Sequence, residues 1–227
     1  MPDLSENASI ALTAIVSAFN AGGTLTPESR EETLVRQAVL RLYAVLGRAP
    51  DLLQLIARTR IDKTLLRATL NQLNRRDLIV LNDGGEITGA YPITSNPTEH
   101  HVRVGSQTIN AMCAIDALGV GAMYNQDVHI RSSCRNCGAE VQIHTADKGR
   151  ALAAVTPLDI CVWSGIRPSV GRAETTLCMV LAFFCSDRCL ETWRKENPAD
   201  ADGYQLSPNQ GLEVGRALFE DALRPSA

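Results

Sequence analysis

Apolar side chains recur at helical spacing along the first 95 residues and then give way to a strand pattern. Spacings of three and four predict helices over residues 10–19, 27–46, 51–57 and 62–73. Pro27 opens the second of these, and Asp62 is the N-cap of the last. The apolar segment 77–81, the turn Asn82-Asp83-Gly84-Gly85 and the segment 86–88 predict a β-hairpin. Because helices followed by a hairpin are the outline of a winged helix-turn-helix, we predict a structural region of that kind over residues 1–95.

A different pattern begins after Ser95-Asn96-Pro97, the predicted linker. It predicts strands over 101–104, 127–132 and 139–144, a helix over 106–118, and later helices over 189–195 and 211–223. The continuous apolar run 176–184 predicts a central strand that is buried on both faces. The predicted fold class is α+β, with the winged-helix-like helical region followed by a mixed β-sheet core domain with flanking helices over residues 96–227.

The charge balance argues against a protein whose main task is to bind nucleic acid. The chain has 22 Lys and Arg residues against 25 Asp and Glu residues, a net charge of −3, whereas DNA affinity depends on basic side chains that contact phosphate. Residues 1–95 hold ten basic and ten acidic groups, so a structural role for this region is preferred over DNA recognition. Aromatic residues make up only 4% of the chain, too few for a platform that stacks single-stranded bases.

The sequence leads us to expect a cytoplasmic protein that does not enter a membrane. Asp3 and Glu6 stand where a signal peptide carries basic residues, and the longest apolar run, 177–185, is shorter than the ~20 residues that span a bilayer. Seven cysteines, an odd number, argue against a fully paired disulfide framework. In a reducing compartment, cysteines at short recurring spacings are more often metal-binding or catalytic.

Cys113 and Asp116 form the first candidate site. They lie three residues apart in a predicted helix that is otherwise almost wholly apolar, so both side chains face the same side. Loss of water raises the pKa of a carboxyl group, which would place a proton donor beside a nucleophilic thiol. The alternative is a cysteine that packs as a small hydrophobe beside a capping aspartate. Cys178, in the predicted core strand, can face Cys113, and two thiolates with a carboxylate suit a soft, two-coordinate metal.

These residues give the second half of the chain a resemblance to a known family. The sequence resembles the organomercurial lyases (alkylmercury lyases) in Cys113-x-x-Asp116, in Ser132-Ser133 before Cys134, in Gly138-Ala-x-Val141, and in Cys178 followed by Phe183-Phe184. That family also carries a winged-helix-like region that serves structure. Its members commonly have an aromatic residue before each catalytic cysteine, where this chain has Met112 and Leu177.

The resemblance implies protonolysis of a carbon–mercury bond in alkyl or aryl mercurials, with a hydrocarbon and Hg(II) as products. By position, Cys113 and Cys178 would bind the mercury, and Asp116 would collect thiol protons and deliver one to the leaving carbon. The resemblance implies no organic cofactor. The implied partners are an organomercurial substrate and, as acceptors of Hg(II), cellular thiols or a mercuric reductase.

A second group of cysteines has the spacing of a structural zinc site. Cys134 and Cys137 form a CxxC at a predicted turn, and Cys185 and Cys189 form a CxxxC where a strand passes into a helix. This is the layout of a treble-clef-like site in which four thiolates coordinate zinc. The alternative is that these cysteines pack in the core or are redox-active. Cys161 has no evident partner and is expected in the core, and the four histidines lack ligand spacing.

Two other functions compete with the lyase, which is preferred. A metal-responsive winged-helix transcriptional regulator is disfavoured by the neutral charge of the first half. A zinc-stabilised, non-catalytic binding module leaves unexplained an acid three residues from a thiol that lies outside the zinc-like cluster. Release of benzene or methane from phenylmercury or methylmercury separates the enzyme from both.

Overall fold

The computed structural model describes residues 4–20, 28–166 and 171–224. Within these ranges the helices are α1 (Glu6–Asn20), α2 (Arg30–Leu46), α3 (Leu52–Thr59), α4 (Lys63–Arg75), α5 (Ala114–Tyr124), α6 (Asp187–Glu196) and α7 (Pro208–Phe219). The predicted helices of the first half are confirmed, although Pro27, the predicted start of the second, lies outside the described residues. Asp62 caps α4, since its carboxylate accepts hydrogen bonds from the backbone N–H groups of Thr64 and Leu65 at 2.9 and 3.1 Å.

The described strands form two antiparallel sheets. The strands are β1 (Ile79–Leu81), β2 (Ile87–Ala90), β3 (Ile93–Thr94), β4 (His101–Val104), β5 (Gln107–Ala111), β6 (His129–Ser133), β7 (Glu140–Ala146), β8 (Ala151–Thr156), β9 (Cys161–Gly165), β10 (Leu181–Phe184) and β11 (Gly203–Leu206). The larger sheet has the order β1-β2-β3-β5-β4-β6-β7-β8, and the smaller has the order β10-β9-β11. The α+β class is confirmed. The expectation of a mixed sheet is wrong for the described pairings, all of which are antiparallel.

The larger sheet runs across residue 95, where we placed the boundary between the two halves. Strand β3 pairs with β5 through Ile93 and Ala111. Helix α1 packs on α7, and the backbone N–H and hydroxyl of Ser5 both donate to the carboxylate of Glu213, at 2.8 and 2.7 Å. The division into regions 1–95 and 96–227 therefore remains a prediction, while the two halves share one sheet and one core.

The segment 106–118 differs from its prediction as a single helix. Residues 107–111 form β5, and α5 begins only at Ala114. The reason is the polar–apolar alternation of these residues, which has the period of a strand and buries Ile109 and Ala111 on one face. A tight hairpin at Gly105, whose φ is +58°, pairs β5 with β4.

Helix α5 lies at the centre of the core. Every side chain from Ala114 to Met123 is buried, and the helix packs on α7 so closely that a Cβ on Gly215 would lie 2.7 Å from the backbone N of Gly119. Helix α5 also contacts β10 of the smaller sheet. In the described part of the chain, none of the helices has the length and apolar character required to cross a membrane.

Candidate active site

Cys113 occupies the N-cap position of α5, and Asp116 lies in the first turn of that helix. The sequence placed both residues inside a helix, whereas the cysteine in fact has extended backbone angles just before it. The backbone N–H of Asp116 donates to Cys113 Sγ at 3.4 Å. The sulfur thus takes the place of a capping oxygen, and a helix N-terminus favours negative charge on both groups.

Cys178 approaches this helix terminus from the other side. It lies in a short 3-10 turn, Cys178–Val180, that precedes β10. The predicted continuous strand 176–184 is therefore wrong, because only Leu181–Phe184 pair with β9, while the preceding residues form turns. The Cys178 thiol donates to Asp116 Oδ2 at 3.7 Å.

The three side chains converge as the sequence predicted. One potential ligand atom of each of Cys113, Asp116 and Cys178 lies within 4.8 Å of the other two. The residues are 1%, 4% and 6% exposed, respectively. Two sulfurs and one carboxyl group thus share a site from which bulk water is largely excluded.

Burial sets the protonation of this site. It raises the pKa of Asp116 to about 7, although hydrogen bonds from the two thiols oppose the shift. Burial, aided by the neighbouring Cys178 and Asp116, raises the pKa of Cys113 well above its usual range. A hydrogen bond from Cys113 favours the Cys178 thiolate, but burial and the Asp116 charge outweigh it and raise the pKa of Cys178 to about 11. These shifts keep both thiols protonated near neutral pH, where Asp116 is divided between its protonated and ionised forms.

Asp77 and Tyr91 hold the chain just before Cys178, a role that the sequence analysis missed. Asp77 Oδ2 accepts the backbone N–H of Ala173 at 2.7 Å. The Tyr91 hydroxyl accepts the backbone N–H of Glu174 at 2.9 Å and donates to Asp77 at 3.3 Å. We call Asp77 and Tyr91 the latch. Because its contacts join residues 96 and 83 positions apart, no local pattern could reveal it.

The second cysteine group also comes together, at the other end of β10. Cys134 follows β6, Cys185 follows β10, and Cys189 lies in the first turn of α6. The Sγ atoms of Cys137 and Cys185 are 3.6 Å apart, those of Cys185 and Cys189 are 3.3 Å apart, and those of Cys189 and Cys137 are 3.7 Å apart. All four sulfurs, including that of Cys134, lie within 4.8 Å of one another. The arrangement offers four sulfur ligands to one metal ion.

Comparison with known proteins identifies the family of the chain. Residues 93–220 match the family model of alkylmercury lyase. The chain belongs to the alkylmercury lyase family. Its curated relatives include the alkylmercury lyases of Bacillus cereus, 26% identical over 140 residues, and of Staphylococcus epidermidis, 27% identical over 140 residues. Each alignment covers 62% of this chain and 62% of the relative, so the chain spans less than two thirds of the length of these curated relatives.

The fold is also that of a protein of known structure. The mercury-bound form of MerB2 aligns with a TM-score of 0.75 and 23% identity, over 93% of this chain and 99% of that one. The family match spans all three residues of the first site and all four of the second. The recognition of this family from the cysteine and aspartate pattern is therefore confirmed.

The remaining candidates lie outside both sites. Cys161 is buried as expected, in an apolar cluster with Trp163 and Phe184 that also holds Cys134, but it is not one of the four grouped cysteines. Burial raises its pKa to about 12. His100 is buried and hydrogen-bonds to the Ser132 hydroxyl at 2.9 Å. In residues 4–20, 28–166 and 171–224, none of the histidines joins a group of three or more potential metal ligands.

Proposed function

We propose that the chain is an organomercurial lyase that cleaves the carbon–mercury bond of alkyl and aryl mercurials by protonolysis. This proposal depends on one observation: the side chains of Cys113, Cys178 and Asp116 are buried together, with ligand atoms within 4.8 Å of one another. Sulfur ligands suit a soft metal such as mercury. Membership of the alkylmercury lyase family supports the same function.

The reaction needs both thiols and one shuttling proton. The substrate R–Hg–SR′, in which R′SH is a small thiol, exchanges its thiolate for Cys113, and the Cys113 proton leaves with R′SH. Cys178 then gives its proton to the Asp116 carboxylate, which its thiol already contacts at 3.7 Å, and the new thiolate binds mercury. Asp116 returns that proton to the carbon, which keeps both electrons of the broken bond and leaves as R–H. Mercury remains Hg(II), bound to two thiolates.

The burial of Asp116 supports this role in proton transfer. A carboxyl group whose pKa is about 7 can both accept a thiol proton and donate it near neutral pH. Two thiolates on mercury donate charge to it and make the bound carbon more basic. The water-poor surroundings keep the proton within the site until it reaches carbon.

Thiolate chemistry also indicates how the product Hg(II) leaves the site and in which compartment the protein works. We propose that cellular thiols or a mercuric reductase remove Hg(II) by thiolate exchange, and that the reaction requires no organic cofactor. We propose a cytoplasmic location, because cysteines that bind metal ions or act in catalysis, and are not paired in disulfides, are typical of a reducing compartment.

We propose a structural role for the first half of the chain, and nucleic acid is not among its partners. Its ten basic and ten acidic groups leave no excess of positive charge for phosphate. The latch supports the structural role, because Asp77 and Tyr91 bind the backbone at Ala173 and Glu174, just before Cys178. The hairpin region thus contributes to the active site itself.

We also propose that Cys134, Cys137, Cys185 and Cys189 bind a structural zinc ion. Tetrahedral zinc with Zn–S bonds of about 2.3 Å requires sulfur–sulfur distances of about 3.8 Å, close to the 3.3–3.7 Å between the three measured pairs. We expect about one zinc per chain by elemental analysis of protein purified without chelators. Cys137→Ala should lose this zinc while Cys161→Ala retains it, and zinc-free wild-type protein would contradict the proposal.

Benzene release from phenylmercury in excess thiol tests the lyase function. Cys113→Ala, Cys178→Ala and Asp116→Ala should each abolish release, because each removes a ligand or the proton carrier. Cys161→Ala is the matched control, since it removes a buried thiol outside the site and should remain active. Circular dichroism confirms that each variant is folded. Wild-type rates in the three folded site variants would refute the proposal.

A further inference from the structure

Arg135 lies between two cysteines of the second cluster and reaches the turn that carries Cys178. Its backbone N–H donates to the carbonyl of Phe183 at 2.9 Å. Its guanidinium donates to the carbonyl of Met179 at 2.9 Å and to Glu99 Oε1 at 2.9 Å. One residue of the Cys134–Cys137 loop thus contacts both β10 and the residue next to Cys178.

The segment from Cys178 to Cys185 is consequently held at both ends by the same loop. At one end, Cys185 joins the sulfur cluster, 3.6 Å from Cys137. At the other end, Arg135 holds the 3-10 turn Cys178–Val180 through the Met179 carbonyl. Met179 is itself 52% exposed, so apolar burial of that side chain contributes little to fixing the turn.

Glu99 is a second partner of the Arg135 guanidinium. Glu99 binds the Arg135 guanidinium and lies 3.6 Å from Nε2 of the buried His100. His100 in turn contacts the Phe183 ring edge-on, with centroids 5.7 Å apart. The guanidinium is therefore paired with a carboxylate that lies beside the buried His100, and a hydrogen bond from a charged donor to a carbonyl is among the stronger kinds.

We propose that the zinc-bound Cys134–Cys137 loop positions Cys178 through Arg135, so that metal at the second cluster sets the geometry of the active site. Arg135 acts here as a positioning residue, because its contacts are with Met179, Phe183 and Glu99. The proposal rests on the zinc site and on the lyase function proposed above. Zinc would then be required for an aligned mercury site as well as for stability.

Alkylation of individual cysteines measures this positioning without requiring any turnover. Folded protein is treated with iodoacetamide, and the rates at Cys178 and Cys113 are read by peptide mass spectrometry. Arg135→Met should speed alkylation of Cys178 about tenfold, the factor that corresponds to losing one charged hydrogen bond, while Cys113 is unaffected. Arg135→Lys, which keeps the charge, should restore part of the protection. Arg131→Met is the matched control, since Arg131 is an exposed arginine paired with Glu140.

Zinc content and kinetics complete the test. Arg135→Met should retain zinc and lower kcat for phenylmercury with little change in KM, because proton transfer depends on where Cys178 lies. Zinc-free Cys137→Ala should show the same faster alkylation of Cys178. If Arg135→Met or zinc-free Cys137→Ala alkylates Cys178 at the wild-type rate, the positioning role is refuted. The alkylation result does not depend on lyase activity, so absence of benzene from the wild type would overturn the proposed function alone.

Discussion

Replacement of Asp116 by asparagine should change how the stability of the protein depends on pH. The carboxyl group has a pKa near 3.8 when exposed and about 7 in the folded protein, because burial disfavours its ionised form. Between these values the folded state holds a proton that the unfolded state has lost. Ionisation of the unfolded state therefore lowers the free energy of unfolding of the wild type as the pH rises from about 4 to 7. Asparagine has nearly the same shape and does not titrate.

The size of this change in the free energy of unfolding follows from the shift in the pKa of Asp116. Roughly 3 pKa units at 1.36 kcal/mol each amount to about 4 kcal/mol. Near pH 4, Asp116 is protonated in the folded protein and resembles asparagine. Ionisation of Asp116 then contributes least to the difference in the free energy of unfolding between wild type and Asp116→Asn. Above pH 7 its full contribution to that difference is present. The variant should then gain about 4 kcal/mol relative to the wild type between pH 4 and pH 8.

Urea unfolding of both proteins under reducing conditions, at several pH values, measures this difference. All other titrating groups are common to the two proteins, so their contributions cancel when the free energies are subtracted. Their thiols have raised pKa values and remain protonated over most of the range. A difference that stays constant from pH 4 to pH 8 would refute the inference that Asp116 is buried and hard to ionise.

Two further predictions concern contacts that support the site. Asp77→Ala should lower the free energy of unfolding by about 1–3 kcal/mol in urea, because the Ala173 N–H and the Arg172 guanidinium lose their acceptor. Asp83→Ala, in the exposed hairpin turn, should have little effect, and equal losses in the two variants would contradict a latch. Gly215→Ala should destabilise the protein by about 1–3 kcal/mol, since its Cβ would lie 2.7 Å from the Gly119 nitrogen. An unchanged Tm by calorimetry would disprove this close packing of α5 and α7.

Local sequence patterns predicted an element correctly where its structure depends only on residues adjacent in the chain. Strand β4 has the predicted bounds, and Asp62 caps α4, because alternation and capping are properties of a few adjacent residues. The prediction of a single helix over 106–118 was wrong. The apolar residues after Cys113 indicated a helix, and the prediction extended it too far toward the N-terminus. Residues 107–111 carry a strand period of their own and have β4 as a partner.

Within each of the two sites, the side chains are brought together by tertiary packing. The cysteine spacings indicated which residues belong together, and the structure brings each set within 4.8 Å. The sequence treated the run 176–184 as a strand because its residues are apolar, yet Cys178 lies in a turn. The contacts that shape this turn come from Asp77, Tyr91 and Arg135. Such polar contacts across distant chain segments leave no periodic signal in the sequence.

In the proposed mechanism, Asp116 carries a thiol proton to the carbon bound to mercury. Single-turnover release of benzene from stoichiometric phenylmercury, with bound mercury quantified in the same samples, isolates this step in wild type and Asp116→Asn. We expect one benzene per mercury bound by the wild type. The variant should bind phenylmercury through its thiols but release benzene about 10²–10⁴-fold more slowly, the usual cost of losing a general acid. Benzene release by Asp116→Asn at the wild-type rate would refute the role of Asp116 as the proton carrier.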